Sequence, residues 1–405
     1  MIIKAKNALI AVLFVILVFI TCLDKLSNIS ILKFFLKHID EIITLLMSAY
    51  VVFHFNMIFR KNTILSLLWM FFMSVGGVST IIYHYQGVVP ALIDALLLVN
   101  KFVISYLFMK TYLQIHPMNI SRILIKCAKV LSVGLFVLGI INIFIYPIFP
   151  NNEFRYFAYS QQLMFTHPTY LAAAEAALLI LLGYKNEKNK MLPYMIMCTI
   201  IGCFTFRSKA IGFFMVYWFM YVIIIVMKNK KYWLTILFGG VAAAYFAKDQ
   251  IETYYVQKRF SPRMILMKDG FKLMKEHFPF GTGFGSFGSS IAADYYSPIY
   301  TELGYEEYRG MNPKDTMFLT DGFWSTILGQ FGALGLISFV SVVVVFIKRA
   351  IDRLKVNRLA GFSMLLIMIY ELIMSMAESS FFNPTAMLLF ILYAIFECER
   401  DECDV

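Results

Sequence analysis

Ionisable residues gather at the ends of long apolar runs in this 405-residue chain: Arg155, His167, Arg207, Lys209, Arg259, Arg263, Asp321 and Glu378. A helical bundle can bring the loops that carry them together over one cavity. The planar fork of arginine offers a phosphate bidentate, charge-assisted hydrogen bonds. Arg259 and Arg263 lie one helical turn apart. A carboxylate among such cations can take a proton from an attacking hydroxyl, while the cations stabilise a departing phosphate. The set therefore suits group transfer from a phosphate-bearing donor held in lipid. Asp321 is the expected general base. Arg259 and Arg207 are the expected pyrophosphate ligands, with Arg263, Arg155, His167 and Glu378 around them. Each residue also has a plainer role open to it. Arg207 and Lys209 suit interfacial anchors, and Arg259 and Arg263 suit a solvated helix face. His167, before Pro168, suits a cap or an interfacial residue. Asp321 suits the N-terminal cap of the helix that follows.

Composition sets the frame for these residues. Hydrophobic residues make up 60% of the chain and charged ones only 15%. Apolar runs of about 20 residues recur, enough to cross a hydrocarbon core of about 30 Å. An ordinary soluble domain is excluded. A net charge of +11 would suggest nucleic acid in a soluble protein. Here the basic residues collect beside the apolar runs, as the positive-inside rule requires, so no nucleic-acid partner is expected. The six cysteines include no Cys-x-x-Cys pair, which supports neither a metal site nor a redox motif, and no cofactor is expected. The N-terminal MIIKAKNALIAVLFVILVFITCL has a signal-like charge and core without a small-x-small cleavage site, and is expected to stay as the first span.

The hydrophobic runs predict an all-α integral membrane protein with one domain over 1–405, twelve spans and both termini cytoplasmic. The first span covers about residues 8–23, the ninth 232–247, the tenth 323–347 and the last 385–396. Residues 24–41 place Ile31, Phe34, Phe35 and Ile39 at helical spacing, which predicts a helix flat on the membrane. Within the fourth span, Asp94 and Lys101 are seven apart and share a helix face, so an internal ion pair that holds two helices is expected. Glu175 and Glu371 also fall inside spans. The long extracytoplasmic loop, 248–322, is the exception to the apolar pattern. Between 248 and 320 it balances nine Lys/Arg against nine Asp/Glu. It carries an amphipathic run, Arg263 to Phe278, and then Gly281, Gly283, Gly285 and Gly288, which permit a tight re-entrant turn beside the membrane.

Several stretches together carry a resemblance. Phe165-Thr166-His167-Pro168-Thr169-Tyr170 opens a span. Arg259 to Arg263 lead through the amphipathic run to Pro279-Phe280-Gly281-Thr282-Gly283-Phe284-Gly285. Asp321-Gly322 is followed, after nine residues, by Gly332-Ala333-Leu334-Gly335. Thr205-Phe206-Arg207-Ser208-Lys209 looks like a Ser-Arg turn before a span. In this order, over roughly residues 150–340, they resemble the Wzy-type polysaccharide polymerase and O-antigen ligase superfamily. The resemblance implies a C-type membrane glycosyltransferase that uses undecaprenyl-pyrophosphate-linked oligosaccharides at the outer face of the bacterial cytoplasmic (inner) membrane. A polymerase joins lipid-linked repeat units into capsule, exopolysaccharide or O-antigen chains, whereas a ligase transfers the glycan to lipid A core. Asp321 stands where the resembling ligases place a histidine, which favours the polymerase.

The implied partners are the lipid-linked oligosaccharides, membrane lipid, a flippase and a chain-length regulator. A flippase for the same lipid-linked substrate is the alternative class for this chain. It is expected to have short loops throughout and charges along a central cavity. The long loop counts against it, while Asp94, Lys101, Glu175 and Glu371 count for it.

Overall fold

A helix that is apolar on every side is stable only in lipid or among other helices, and this chain is helical almost throughout its described length. The structure, a computed structural model, describes residues 2–26, 29–149, 153–155, 158–186, 189–227 and 261–398. The expected ninth span and Arg259 lie outside the described residues. In order come α1 (Ile2–Val18), the short α2 (Ser30–Lys37), α3 (Ile39–Phe53), α4 (Phe55–Lys61) and α5 (Thr63–Tyr83). Next, α6 (Val88–Ile93) passes through a π-helical stretch, Asp94–Val99, into α7 (Lys101–Ile115), followed by α8 (Ser121–Ile140). Two short strands, β1 (Phe154–Arg155) and β2 (Ala158–Tyr159), pair antiparallel ahead of α9 (Pro168–Tyr184), α10 (Leu192–Phe204) and α11 (Ser208–Met220). The last third holds α12 (Pro262–Glu276), α13 (Ser290–Asp294), α14 (Pro298–Glu302), α15 (Phe323–Val356), α16 (Arg358–Ser375) and α17 (Pro384–Cys398).

Among the described residues, 5 helices are long and apolar enough to cross a membrane, or up to 7 if each bent pair is one span. The bent pairs are α3 with α4, at 79°, and Val88–Val99 with α7, at 52°. Four shorter apolar helices, Ala8–Val18, α9, α10 and α17, occupy further stretches where the sequence predicts crossings. This is the architecture of a membrane-embedded helical protein. Its centre is α9, where Ala and Leu residues are buried on every face against α8, α10, α16 and α17. By contrast, α2 buries no residue, and Ile31, Phe34 and Phe35 stand exposed on it as on a helix at an interface. Ile39 opens α3 instead and packs on the core.

The expected ion pair between two helices forms at Lys101 but not at Asp94, and the two residues do not share a face. The π-helical stretch and the 52° bend at Asn100 destroy the regular spacing that would align the two residues. Lys101 Nζ instead donates to Asp40 Oδ2 on α3 at 2.6 Å. Asp94 Oδ2 accepts from the backbone N–H of Gly285 at 2.8 Å.

Residues 262–322 form a folded cap with a small core of their own. Leu266, Gly270 and Leu273 recur at helical spacing along the buried face of α12. Leu266 and Leu273 meet Phe287, Tyr300, Tyr305 and Leu319, while Gly270 lies close against the backbone of Ser325. From α12 the chain dives into a break in α15 at Gly332, where φ is 60° and ψ −156°. The break frees backbone groups that lipid cannot satisfy. Thr282 N–H donates to Gly329 O and Gly283 N–H to Gln330 O, both at 2.9 Å, and Leu334 N–H donates to Pro279 O at 3.1 Å. Glycine is required on both sides of the crossing. A Cβ on Gly332 would collide with the carbonyl of Phe280, and one on Gly283, at φ 94°, would lie 2.6 Å from Thr80 N.

Candidate functional site

Arg207 is held by a turn fastened from the neighbouring loop. Ser160 Oγ donates to Thr205 O at 2.6 Å, and Gln161 N–H donates to Phe204 O at 3.0 Å. Between these anchors Phe206 is left-handed, with φ 48°, a conformation uncommon for a bulky residue that persists only where the surroundings enforce it. Arg207 follows as the N-cap of α11. Its Nη2 lies 3.1 Å from Glu153 Oε2, and Arg155 Nε donates to the same oxygen at 2.8 Å. Partial burial would raise the Glu153 carboxyl, but Arg207 and Arg155 together hold it below its usual value.

Arg207 Nη2 is also 3.0 Å from His167 Nε2. His167 is the N-cap of α9, and its Nδ1 accepts from Thr169 N–H at 3.2 Å. Neutral imidazole has one donor nitrogen and one acceptor nitrogen. Two donors, the Thr169 N–H and the Arg207 guanidinium, thus face a ring with a single acceptor nitrogen, whichever tautomer it adopts. Protonation brings no relief, since burial and then the Arg207 charge push the His167 pKa down. Arg207 Nε is buried without a partner among the described residues. Donors thus converge here with too few acceptors between them. An anionic oxygen seated at this point would accept from both side chains.

The remaining charges continue from there. Lys209 Nζ donates to Glu378 Oε1 at 2.8 Å, and Arg263 Nη2 to Asp321 Oδ2 at 3.2 Å. Lys209 and Glu378 both lie close enough for their charges to bear on Asp321. Burial raises the Asp321 carboxyl above the ordinary aspartate value, and Arg263 offsets only part of that. Asp321 does not cap α15: the N-cap is Gly322, which has no side-chain cap. Its carboxylate is half-buried, charged against an arginine, and a stronger base than a free aspartate. The structure therefore joins Arg155, His167, Arg207, Arg263, Asp321 and Glu378 into one cluster, with Lys209 and Glu153 among them.

Beside the cluster lies a cavity of about 500 Å³. Thr166, Thr320 and Ser379 line it, each the chain neighbour of a cluster residue: His167, Asp321 and Glu378. The buried Asp40–Lys101 pair forms part of its wall.

No family model matches this chain, and no curated protein matches it.

Sequence reasoning missed Glu153, although its place two residues before Arg155 was a usable signal. It also missed the partnership of Asp40 with Lys101. Those residues lie 61 apart in the chain, and nothing local links them.

Proposed function

We propose that the chain is a membrane glycosyltransferase that polymerises undecaprenyl-pyrophosphate-linked repeat units. In this reading it has twelve crossings, both termini lie in the cytoplasm, and the cluster faces outward from the bacterial cytoplasmic membrane. The observation that carries it is the Arg207–His167 contact, where Arg207 Nε is buried without a partner among the described residues and more donors than acceptors meet, with Arg155, Lys209 and Arg263 in the same cluster. A pyrophosphate supplies the missing oxygens. Its lipid-linked sugar then lies at the rim of the cavity, near Asp321.

The acceptor hydroxyl attacks the anomeric carbon of the donor sugar, and Asp321 takes the hydroxyl proton. The carbon–oxygen bond to pyrophosphate breaks, and the bonding pair leaves with the pyrophosphate, whose charge Arg207, Lys209 and Arg263 offset. Arg259 is proposed as a further pyrophosphate ligand from its place in the sequence. The partner proteins of this reading are a flippase that delivers the donor and a chain-length regulator. Of the span residues that favour a transporter, Lys101 is paired to Asp40 and Asp94 is bonded to the glycine loop, while Glu175 and Glu371 are fully buried within α9 and α16; the long loop counts against that reading. Deletion of the gene tests the polymerase: long glycan chains are expected to vanish while single repeat units remain. An unchanged ladder ends this reading.

A further inference from the structure

Charge divides the site in two. In the cluster, Arg155, Arg207, Lys209 and Arg263 outnumber Glu153, Asp321 and Glu378 by one, leaving His167 aside. In the adjoining cavity, Asp40, Glu41 and Asp294 outnumber Lys37 and Lys101 by one, leaving His38 aside. A phosphate is drawn to the first compartment and repelled from the second. The cavity must therefore serve something other than the pyrophosphate.

Its lining fits an uncharged polyol. Carboxylates accept from hydroxyl groups, and Ser289, Ser290 and Asn383 both donate and accept. Tyr170 and Phe382 supply aromatic rings, suited to the apolar faces of a sugar. A volume of about 500 Å³ falls within the usual range for small-molecule sites. The buried Asp40–Lys101 pair, at 2.6 Å, adds little net stability over apolar residues of similar size. Its place on the wall of a polar cavity is better explained by a ligand. Lys101 engages only Asp40 Oδ2, and His38 Nδ1 lies 3.0 Å from Glu41 Oε2, which leaves the second oxygen of each carboxylate, and Asp294, to meet hydroxyl groups. The wall is also rigid. Ser289 caps α13 by accepting from Ala292 N–H, and it ends the glycine loop that Asp94 holds through Gly285.

We infer that this cavity is a saccharide subsite for an uncharged sugar, with Asp40, Glu41 and Asp294 as its acceptors. That the sugar is the one whose hydroxyl attacks rests on the polymerase reading above. Donor phosphate and acceptor sugar are then sorted by charge, and they meet at Asp321, whose neighbour Thr320 lines the cavity.

The test uses the purified full-length chain and two probes: inorganic pyrophosphate, and free repeat-unit oligosaccharide cut from its lipid by mild acid. Ser290 and Asp294 are exposed positions on α13, where substitution leaves the bundle core untouched. Ser290→Trp and Asp294→Lys are expected to weaken oligosaccharide binding tenfold or more and to leave pyrophosphate binding as in the wild type. Arg207→Ala is expected to do the reverse. Retained pyrophosphate binding also shows that the cavity variants fold. Undiminished oligosaccharide binding in both cavity variants overturns the inference, as does a wild-type chain that ignores the oligosaccharide at millimolar concentration. Equal weakening of both probes overturns the division by charge. The gene deletion reports on the polymerase reading separately. If long chains vanish on deletion while the cavity variants bind sugar normally, the subsite alone is lost.

Discussion

Two groups of charges sit toward opposite ends of the bundle, and they are built differently. Lys101 on α7 and Pro384 at the start of α17 line the cavity, whereas Lys110 and Glu397 lie further along the same helices. At that second end Glu397 accepts from Tyr106 Oη at 2.6 Å and from Lys110 Nζ at 2.8 Å. Tyr106 Oη accepts in turn from Lys110 and Arg349, and Arg349 Nη1 also donates to Asn62 at 3.2 Å. Every charged group in that clamp has a partner, and the helices it joins close over it. The cluster at the cavity end uses the same residue types but leaves donors facing donors and a carboxylate with a raised pKa. Satisfied ion networks hold helices together, whereas partly satisfied ones at a cavity are poised for a ligand.

Substitution separates the two groups, and the largest effect is expected at the cavity. Asp321→Asn removes the proton acceptor and should lower polymerisation about 10²–10⁴-fold. Stability should hold or rise, because a raised carboxyl pKa means that the folded state favours the neutral form. Its destabilising effect sets in as pH climbs from about 3.9, the unfolded value, through the raised folded value, and persists above it. The acid limb of the pH–rate profile should accordingly sit above the ordinary aspartate value. Normal chain length from the Asn variant, at normal protein level in the membrane, removes Asp321 from the chemistry.

Glu397→Ala should show the opposite signature. It strands two cations and a tyrosine hydroxyl at the clamp, at a cost of about 3–5 kcal/mol in stability. Thermal unfolding of the detergent-solubilised chain reads this directly. Whatever protein survives should retain its activity per molecule, and a variant that is stable but inactive would move the clamp into the functional site.

A smaller effect is expected from Arg207→Ala, which loses one charge-assisted contact of roughly 1.5–3 kcal/mol, or about ten- to a hundred-fold in activity. Lysine should restore only part, since a point charge cannot replace the fork. Complete rescue by lysine would mean that Arg207 supplies charge without geometry. Smallest of all is the exposed Lys355–Asp352 pair, at 2.7 Å. Asp352→Ala should change neither melting temperature nor glycan length, as expected for a surface pair.

How much of this was legible in the sequence follows from what each feature depends on. Apolar runs marked the helices because lipid leaves a backbone so few choices. The cluster was legible as loop-end charges, and the structure unites those among the described residues. The amphipathic run before the glycines became α12, with its buried face as the spacing predicts. Lys101 made the expected pair between helices, with Asp40, but its shared face with Asp94 was lost because a π-helical stretch changes the residues per turn, and composition carries no clear mark of it. Gly332 was visible in a motif, yet its role was not. A positive φ inside an apolar helix makes sense only when the strand of backbone that crosses it is known. Asp321 was weighed as a cap, but Gly322 took that position and freed the carboxylate for Arg263.

The break in α15 also bears on how the chain is put into a membrane. The helix has 34 residues, and about 51 Å of uninterrupted helix would overshoot a hydrocarbon core of about 30 Å. Gly332 divides it, and the carbonyls of Gly329 and Gln330 before the break and the N–H of Leu334 after it find hydrogen-bond partners in residues 279–283. Those residues are synthesised first. Their stretch must be across the bilayer, or waiting at its surface, before the following helix can settle. The order of synthesis thus matches the order in which the pieces are needed. An insertion between Phe280 and Phe331 that delayed this docking would leave a membrane helix with open carbonyls, a substrate for quality-control proteolysis even with every charged residue of the cluster intact.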